Sequence, residues 1–125
     1  MRKLKTHRLK NYFLFKDKRG YIQGIFNSFK IEESNIIFSK SDKLTRGEHC
    51  HKKMIEILHV LDGKVILHVS DYKKKTEVLK KFKLTKGDTV VIYPNEYHWT
   101  TNSKNARWIN FLTRKFDQKK PDLFN

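Results

Sequence analysis

The chain has 125 residues, 38% of them apolar, and a formal charge of +15 from 28 Lys and Arg against 13 Asp and Glu. That length supports one domain with a single core, and no apolar run approaches the roughly 18 residues that a membrane helix needs. A lone cysteine, Cys50, excludes an internal disulfide. The basic start MRKLKTHRLK has no apolar segment and cleavage site behind it, so the cytoplasm is the expected location and no membrane partner is expected.

The positive charge is scattered along the chain, mostly as lysine, and no nucleic-acid-binding motif accompanies it. It reads as a solvated surface, part of which can attract an anionic small substrate; nucleic acid is not the expected partner.

In chain order, residues 1–11 form a basic N-terminal arm that is ordered only if it docks on something. Residues 12–115 form the domain and 116–125 a tail. Residues 12–15 (YFLF) are β-prone, 17–20 (DKRG) form a turn, and 20–26 read as a second strand and 35–40 as a third. A loop over 42–45 delivers the strand that holds His49 and His51. Residues 54–61 and 64–69 flank Asp62-Gly63, a pair suited to a type I′ turn, which predicts a hairpin. A second tip is expected at 70–75. An alternating strand follows over 77–84, then a turn at 86–88, a buried strand over 89–93 and a last strand over 106–113. No 3.6-residue period persists, so the pattern predicts an all-β antiparallel sandwich or barrel.

Two polar clusters stand out. In RGEHCHKKMIE, His49 and His51 are two residues apart and project from one side of an extended strand, and Glu56 follows. In YPNEYHWTTN, His98 is flanked by Tyr97 and Trp99, which alternation turns to the opposite face. Three imidazoles and one carboxylate suit Fe(II), Mn(II), Ni(II) or Zn(II). Taken singly, Glu56 could pair with a lysine and His98 could sit at a sheet edge. His59 and His68 fall outside the pattern and read as core or surface residues, and His7 belongs to the arm. Trp108 reads as core. Tyr93 is the candidate phenol for a cavity.

The spacing of His-x-His, four residues, Glu, six residues, Gly, then a later Gly, Pro, His and Asn resembles the two-part signature of the cupin superfamily. That resemblance implies a double-stranded β-helix, the jelly-roll barrel, and in metal-binding members His49, His51, Glu56 and His98 occupy the ligand positions. A narrower likeness rests on DKRG at 17–20, FSK at 38–40, RGEHCHKK at 46–53 and PNEYH at 94–98. These segments resemble the dTDP-4-keto-6-deoxyglucose 3,4-ketoisomerases (WxcM-like) and the related dTDP-sugar epimerases.

The narrower resemblance implies an isomerase or epimerase of a nucleoside-diphosphate keto-6-deoxyhexose in surface-polysaccharide biosynthesis, a homodimer with no required cofactor. It casts His49 or His51 as base, the other returning a proton. Arg46 or Lys52 would steady an enediolate, Arg19 would meet the diphosphate, and Tyr93 and His98 would face the substrate. Two departures bear on this. Ile36-Ile37-Phe38 stands where the ketoisomerases carry a tyrosine, and Glu56 stands where they tend to carry an amide. The carboxylate restores a metal set for Zn, Mn, Fe or Ni, and FDQKKPD at 116–122 resembles the tail of metal-containing cupins in capsular-polysaccharide epimerases. The alternatives are therefore a metal-dependent cupin enzyme of another reaction class and a non-catalytic sugar- or anion-binding cupin.

Overall fold

The computed structural model describes residues 3–71, 73, 77–117, 119–120 and 122–124; parts of the expected arm (1–2), of the tip expected at 70–75 (72, 74 and 75) and of the tail (118, 121 and 125), with residue 76, lie outside the described residues. The elements are β1 (His7–Arg8), β2 (Phe13–Asp17), β3 (Gly20–Gly24), β4 (Glu33–Ser39), β5 (Arg46–His51), β6 (Glu56–Asp62), β7 (Lys64–Asp71), β8 (Lys80–Thr85), β9 (Thr89–Ile92), β10 (Glu96–Asn102), β11 (Ala106–Leu112) and β12 (Leu123–Phe124). They form two five-stranded sheets, ordered β1-β9-β6-β11-β4 and β12-β5-β10-β7-β8, with β2 and β3 a separate hairpin. Every pairing is antiparallel. This is the all-β jelly-roll the sequence predicts. Among the described residues no helix is long and apolar enough to cross a membrane.

The core lies between the sheets. Leu58, Val60, Val65, Leu67, Ile92 and Trp108 are among its members, all nearly inaccessible to solvent. Period-2 alternation puts them there: along β10, Glu96, His98, Thr100 and Asn102 are buried, and Tyr97, Trp99 and Thr101 are half-buried. Trp108 is core, as expected.

One expectation is corrected. Asp62-Gly63 does not close a hairpin, because β6 pairs with β9 and β11 whereas β7 pairs with β8 and β10. Both hydrogen-bonding edges of each strand are filled by other partners, so the dipeptide is a corner at which the chain crosses from one sheet to the other. Gly63 has φ +77°, and a Cβ there would lie 2.8 Å from Ser103 Oγ and 3.1 Å from the Ala106 Cα. Glycine is needed for the crossing, not for a hairpin. β7 and β8, on either side of the second expected tip, do pair with each other. The last strand is β12, beyond the one ending at Leu112.

Both chain ends pack on the body. Leu4 and Thr6 are buried, and the Lys5 and Thr6 amides donate to the carboxylate of buried Glu96 at 2.8 and 3.0 Å. Lys80 Nζ donates to the Leu4 and Thr6 carbonyls. At the other end, Leu123 pairs with His51. Asp122 Oδ2 accepts the Lys53 and Met54 amides at 2.9 and 2.8 Å.

Candidate active site

The cavity between the sheets has a volume of about 380 Å³, and His49, His51, Glu56 and His98 share its wall. Their placement begins with a bulge. In the β5–β10 pairing His98 faces His49 and Trp99 faces Gly47, so Glu48 is the extra residue. Gly47 and Glu48 both take positive φ, +92° and +51°. A Cβ on Gly47 would stand 3.1 Å from the His98 carbonyl oxygen. Bulges of this kind re-aim side chains, and here the consequence is that His49 and His98 stand opposite one another with ring centroids 4.7 Å apart. His51, two residues on, keeps the same face, 4.7 Å from His49 and 5.4 Å from His98.

Glu56 starts β6 in the opposite sheet and reaches across. Its Oε1 accepts from His51 Nε2 at 3.0 Å and stands 3.7 Å from His98 Nε2. Burial alone would raise the Glu56 carboxyl, but the hydrogen bonds and charges of His51 and His98 outweigh it and hold the group well below the usual carboxylate range. His49 is pushed down to about 4, first by burial and then by the neighbouring His98 and His51. It is therefore a neutral imidazole at pH 7.

Ring orientations are set from behind. His98 Nδ1–H donates to the Glu96 carbonyl at 3.2 Å, and the His49 ring bonds the Gly47 backbone. These bonds leave His49 Nε2 buried with no hydrogen-bond partner among the described protein groups; His51 Nδ1 and Thr100 Oγ1 are in the same condition. Each such group costs about 1–3 kcal/mol, a penalty that a purely structural core would not accumulate at one place. One ligand atom from each of His49, His51, Glu56 and His98 lies within 4.8 Å of the others.

The family model described as FdtA: WxcM-like, C-terminal matches residues 3–120. The chain belongs to this family. No curated protein matches the sequence significantly. Among solved structures, the WxcM-like chain is similar to a 3,4-ketoisomerase from Helicobacter canadensis, at 20% identity and TM-score 0.82, covering 98% of this chain and 91% of that one. It is also similar to a variant of the 3,4-ketoisomerase QdtA from Thermoanaerobacterium thermosaccharolyticum in complex with TDP-4-keto-6-deoxyglucose, at 20% identity and TM-score 0.79, covering 95% and 86%. A third is WlaRB, a TDP-quinovose 3,4-ketoisomerase from Campylobacter jejuni, at 21% identity and TM-score 0.78, covering 90% and 88%. At these identities the likeness establishes the fold.

Of the residues singled out in the sequence, this WxcM-like domain brings five to one cavity: Arg46, His49, His51, Glu56 and His98. Arg46 sits at its exposed rim, with Nη2 3.4 Å from the Phe38 carbonyl. Three stand elsewhere. Lys52 lines a neighbouring groove. Tyr93 stacks on His7, centroids 5.8 Å apart, and is not among the residues lining the cavity. Arg19, at the tip of the β2–β3 hairpin, pairs with Asp17 and is highly exposed. His59 is buried with Nδ1 2.8 Å from Thr89 Oγ1, and His68 stacks flat on Trp99 at 5.0 Å; neither lines the cavity.

Sequence reasoning missed Asn35, Thr100 and Asn110, all on the cavity wall. Asn110 Nδ2 donates to Glu56 Oε2 at 3.5 Å, and Asn35 Nδ2 donates to Asn110 Oδ1 at 3.1 Å. The signal was present: Asn110 alternates with Trp108 and Leu112 in ARWINFL, so a lone amide shares a face with core residues. Thr100 is two residues beyond His98 on the same strand face.

Proposed function

We propose that the protein is a nucleotide-sugar isomerase acting on a nucleoside-diphosphate 4-keto-6-deoxyhexose by histidine acid–base chemistry, in surface-polysaccharide biosynthesis. The observation that carries this is the pair of imidazoles, His49 and His51, on one cavity wall with ring centroids 4.7 Å apart and Glu56 hydrogen-bonded to His51. The similar solved structures are 3,4-ketoisomerases, which supports the substrate class.

Glu56 beside His51 stabilises the imidazolium that forms when His51 takes a proton, as a carboxylate does behind a catalytic histidine. His49, kept neutral by burial, is the partner that passes a proton onward. In a 3,4-shift the base removes the C3 proton, and its electron pair forms the C3–C4 double bond as charge moves onto O4. The O3 proton is transferred to O4, C4 receives a proton, and the ketone ends at C3. Arg46 at the rim is the donor suited to the developing oxyanion. Incubation with dTDP-4-keto-6-deoxyglucose, followed by proton NMR, should show the ketone moving from C4 to C3; substrate unchanged at enzyme-level concentrations overturns the reading. Exchange at C3 or C5 with the ketone in place would indicate an epimerase.

A second reading is favoured by one specific observation. The His98 and His49 rings are each anchored through backbone groups, the arrangement that orients metal-bound imidazoles. His49, His98, Glu56 and, on loss of its Nε2 proton, His51 would hold a divalent ion. Such an ion supplies Lewis-acid polarisation of a carbonyl oxygen. Metal analysis of protein purified without chelator or histidine tag tests it: about one equivalent of Zn, Mn, Fe or Ni supports the site, and under a tenth of an equivalent rejects it.

The reading includes a homodimer in the cytoplasm. On the β2–β3 hairpin, Leu14, Phe15, Tyr21 and Ile22 are more than half exposed, and Ile36 and Phe38 are exposed on the edge strand β4. A two-stranded hairpin is marginal alone, and an apolar edge of this kind favours pairing. Light scattering should give twice the chain mass, and Ile36→Asp with Phe38→Asp should give the monomer.

A further inference from the structure

The turn at 93–95 leads from β9 into Glu96, the first residue of β10. This short stretch is bonded on two sides. Toward the cavity, the Glu96 carbonyl accepts from His98 Nδ1 at 3.2 Å, and the Asn95 amide donates to the His51 carbonyl at 2.8 Å. Asn95 sits at φ +66°, a conformation that its neighbours must hold in place. Away from the cavity, the buried Glu96 carboxylate accepts the Lys5 amide on Oε2 and the Thr6 amide on Oε1. The Tyr93 amide donates to Thr6 Oγ1 at 3.4 Å, and the Tyr93 ring stacks on His7. One turn therefore joins the N-terminal arm to the backbone behind His98 and His51.

We propose that Glu96 is a positioning residue through which the docked N-terminal arm aims His98 and His51 into the cavity, an assignment that rests on the isomerase reading above. Glu96 is 3% exposed, and both of its carboxylate oxygens are taken by backbone amides of the arm. A buried carboxylate stripped of its donors is costly, so release of the arm draws Glu96 toward water. Its side chain and the carbonyl that holds His98 belong to one residue, and the amide that holds His51 lies one peptide earlier. Peptide planes are rigid, so a displacement of the carboxylate reaches both imidazoles. A second handle grips the arm independently. Lys80 Nζ, on β8, donates to the Leu4 and Thr6 carbonyls at 3.0 and 2.7 Å, and Lys80 does not line the cavity. Glu96 thus holds the arm by its amides and Lys80 by its carbonyls.

Glu96→Gln, Lys80→Met and the double variant of the full chain test the assignment, with dTDP-4-keto-6-deoxyglucose as substrate. Each single variant should lower kcat about tenfold with KM within about twofold. The double variant should lose no more than the worse single one, because both release the same arm. A fall in melting temperature with kcat unchanged would make the arm purely structural and overturn the proposal. A kcat loss confined to Glu96→Gln would overturn it too, as would losses that multiply in the double variant. Proton–nitrogen NMR of the histidine rings supplies a readout independent of turnover. The His98 and His51 signals should shift in both single variants, and those of His68, which alternates away from buried Val65, Leu67 and Val69 on β7, should not. Unmoved His98 and His51 signals would overturn the proposal. A wild type that leaves the ketone in place would overturn the isomerase reading, and the ring spectra would then decide alone whether the arm positions the histidines.

Discussion

The histidine cavity and the β2–β3 hairpin both carry residues that the sequence marks as functional, yet the protein treats them oppositely. In the cavity each side chain is fixed by several neighbours: His98 by the Glu96 carbonyl, His51 by Glu56, Glu56 by Asn110, and Asn110 by Asn35. On the hairpin, every residue of β2 is exposed, and Arg19 finds its ion-pair partner only two residues away in Asp17. The first region is complete within one chain and preorganised, at the cost of unpaired buried polar atoms. The second is apolar and exposed, the surface assigned above to the proposed homodimer. The proposed chemistry uses the first region and the proposed homodimer the second.

The sharpest way to break this division is His51→Gln, which keeps a polar side chain in place but cannot carry a proton. Turnover should fall about 100- to 10,000-fold, with thermal unfolding close to wild type; activity within a few-fold would remove His51 from the mechanism. Gly47→Ala comes next. It forces a side chain into positive φ against the His98 carbonyl and should cost about 1–3 kcal/mol in urea unfolding. Activity should fall more than the stability loss explains, because the bulge aims His49. Asn110→Ala removes the donor that holds Glu56 and should lower kcat about tenfold with KM nearly unchanged. An equal effect on both constants would make Asn110 a substrate contact instead.

The smallest effect is on acid stability. His49 binds its proton near pH 4 when folded and nearer 6.5 when unfolded, so across that window the unfolded chain holds more protons and stability falls as pH falls. Metal-free His49→Gln protein should lose less stability than wild type between pH 6.5 and 4, as measured by denaturant midpoints.

Much of this was legible because strand alternation is local. His49 and His51 two residues apart, and Tyr97 and Trp99 flanking His98, could be assigned to faces from the sequence alone. The cupin spacing then joined two strands distant in the chain. What could not be read was which strands neighbour which. Asp62-Gly63 has the chemistry of a hairpin turn and serves as an inter-sheet corner, since the edges of β6 and β7 are already filled. Tyr93 looked like a cavity phenol, yet β9 ends at Ile92 and the ring stacks on His7, part of an arm whose docking depends on Glu96. Asn35 and Asn110 acquire meaning only in the β4–β11 register, where they stand directly opposite.

The most direct test of the central claim is solvent deuterium incorporation, followed by proton NMR, when wild type and His51→Gln are incubated with dTDP-4-keto-6-deoxyglucose in D2O. The account predicts loss of the C3 proton and movement of the ketone with the wild type, and neither with the variant at equal concentration. Equal deuterium uptake with both proteins would contradict histidine acid–base chemistry in this cavity.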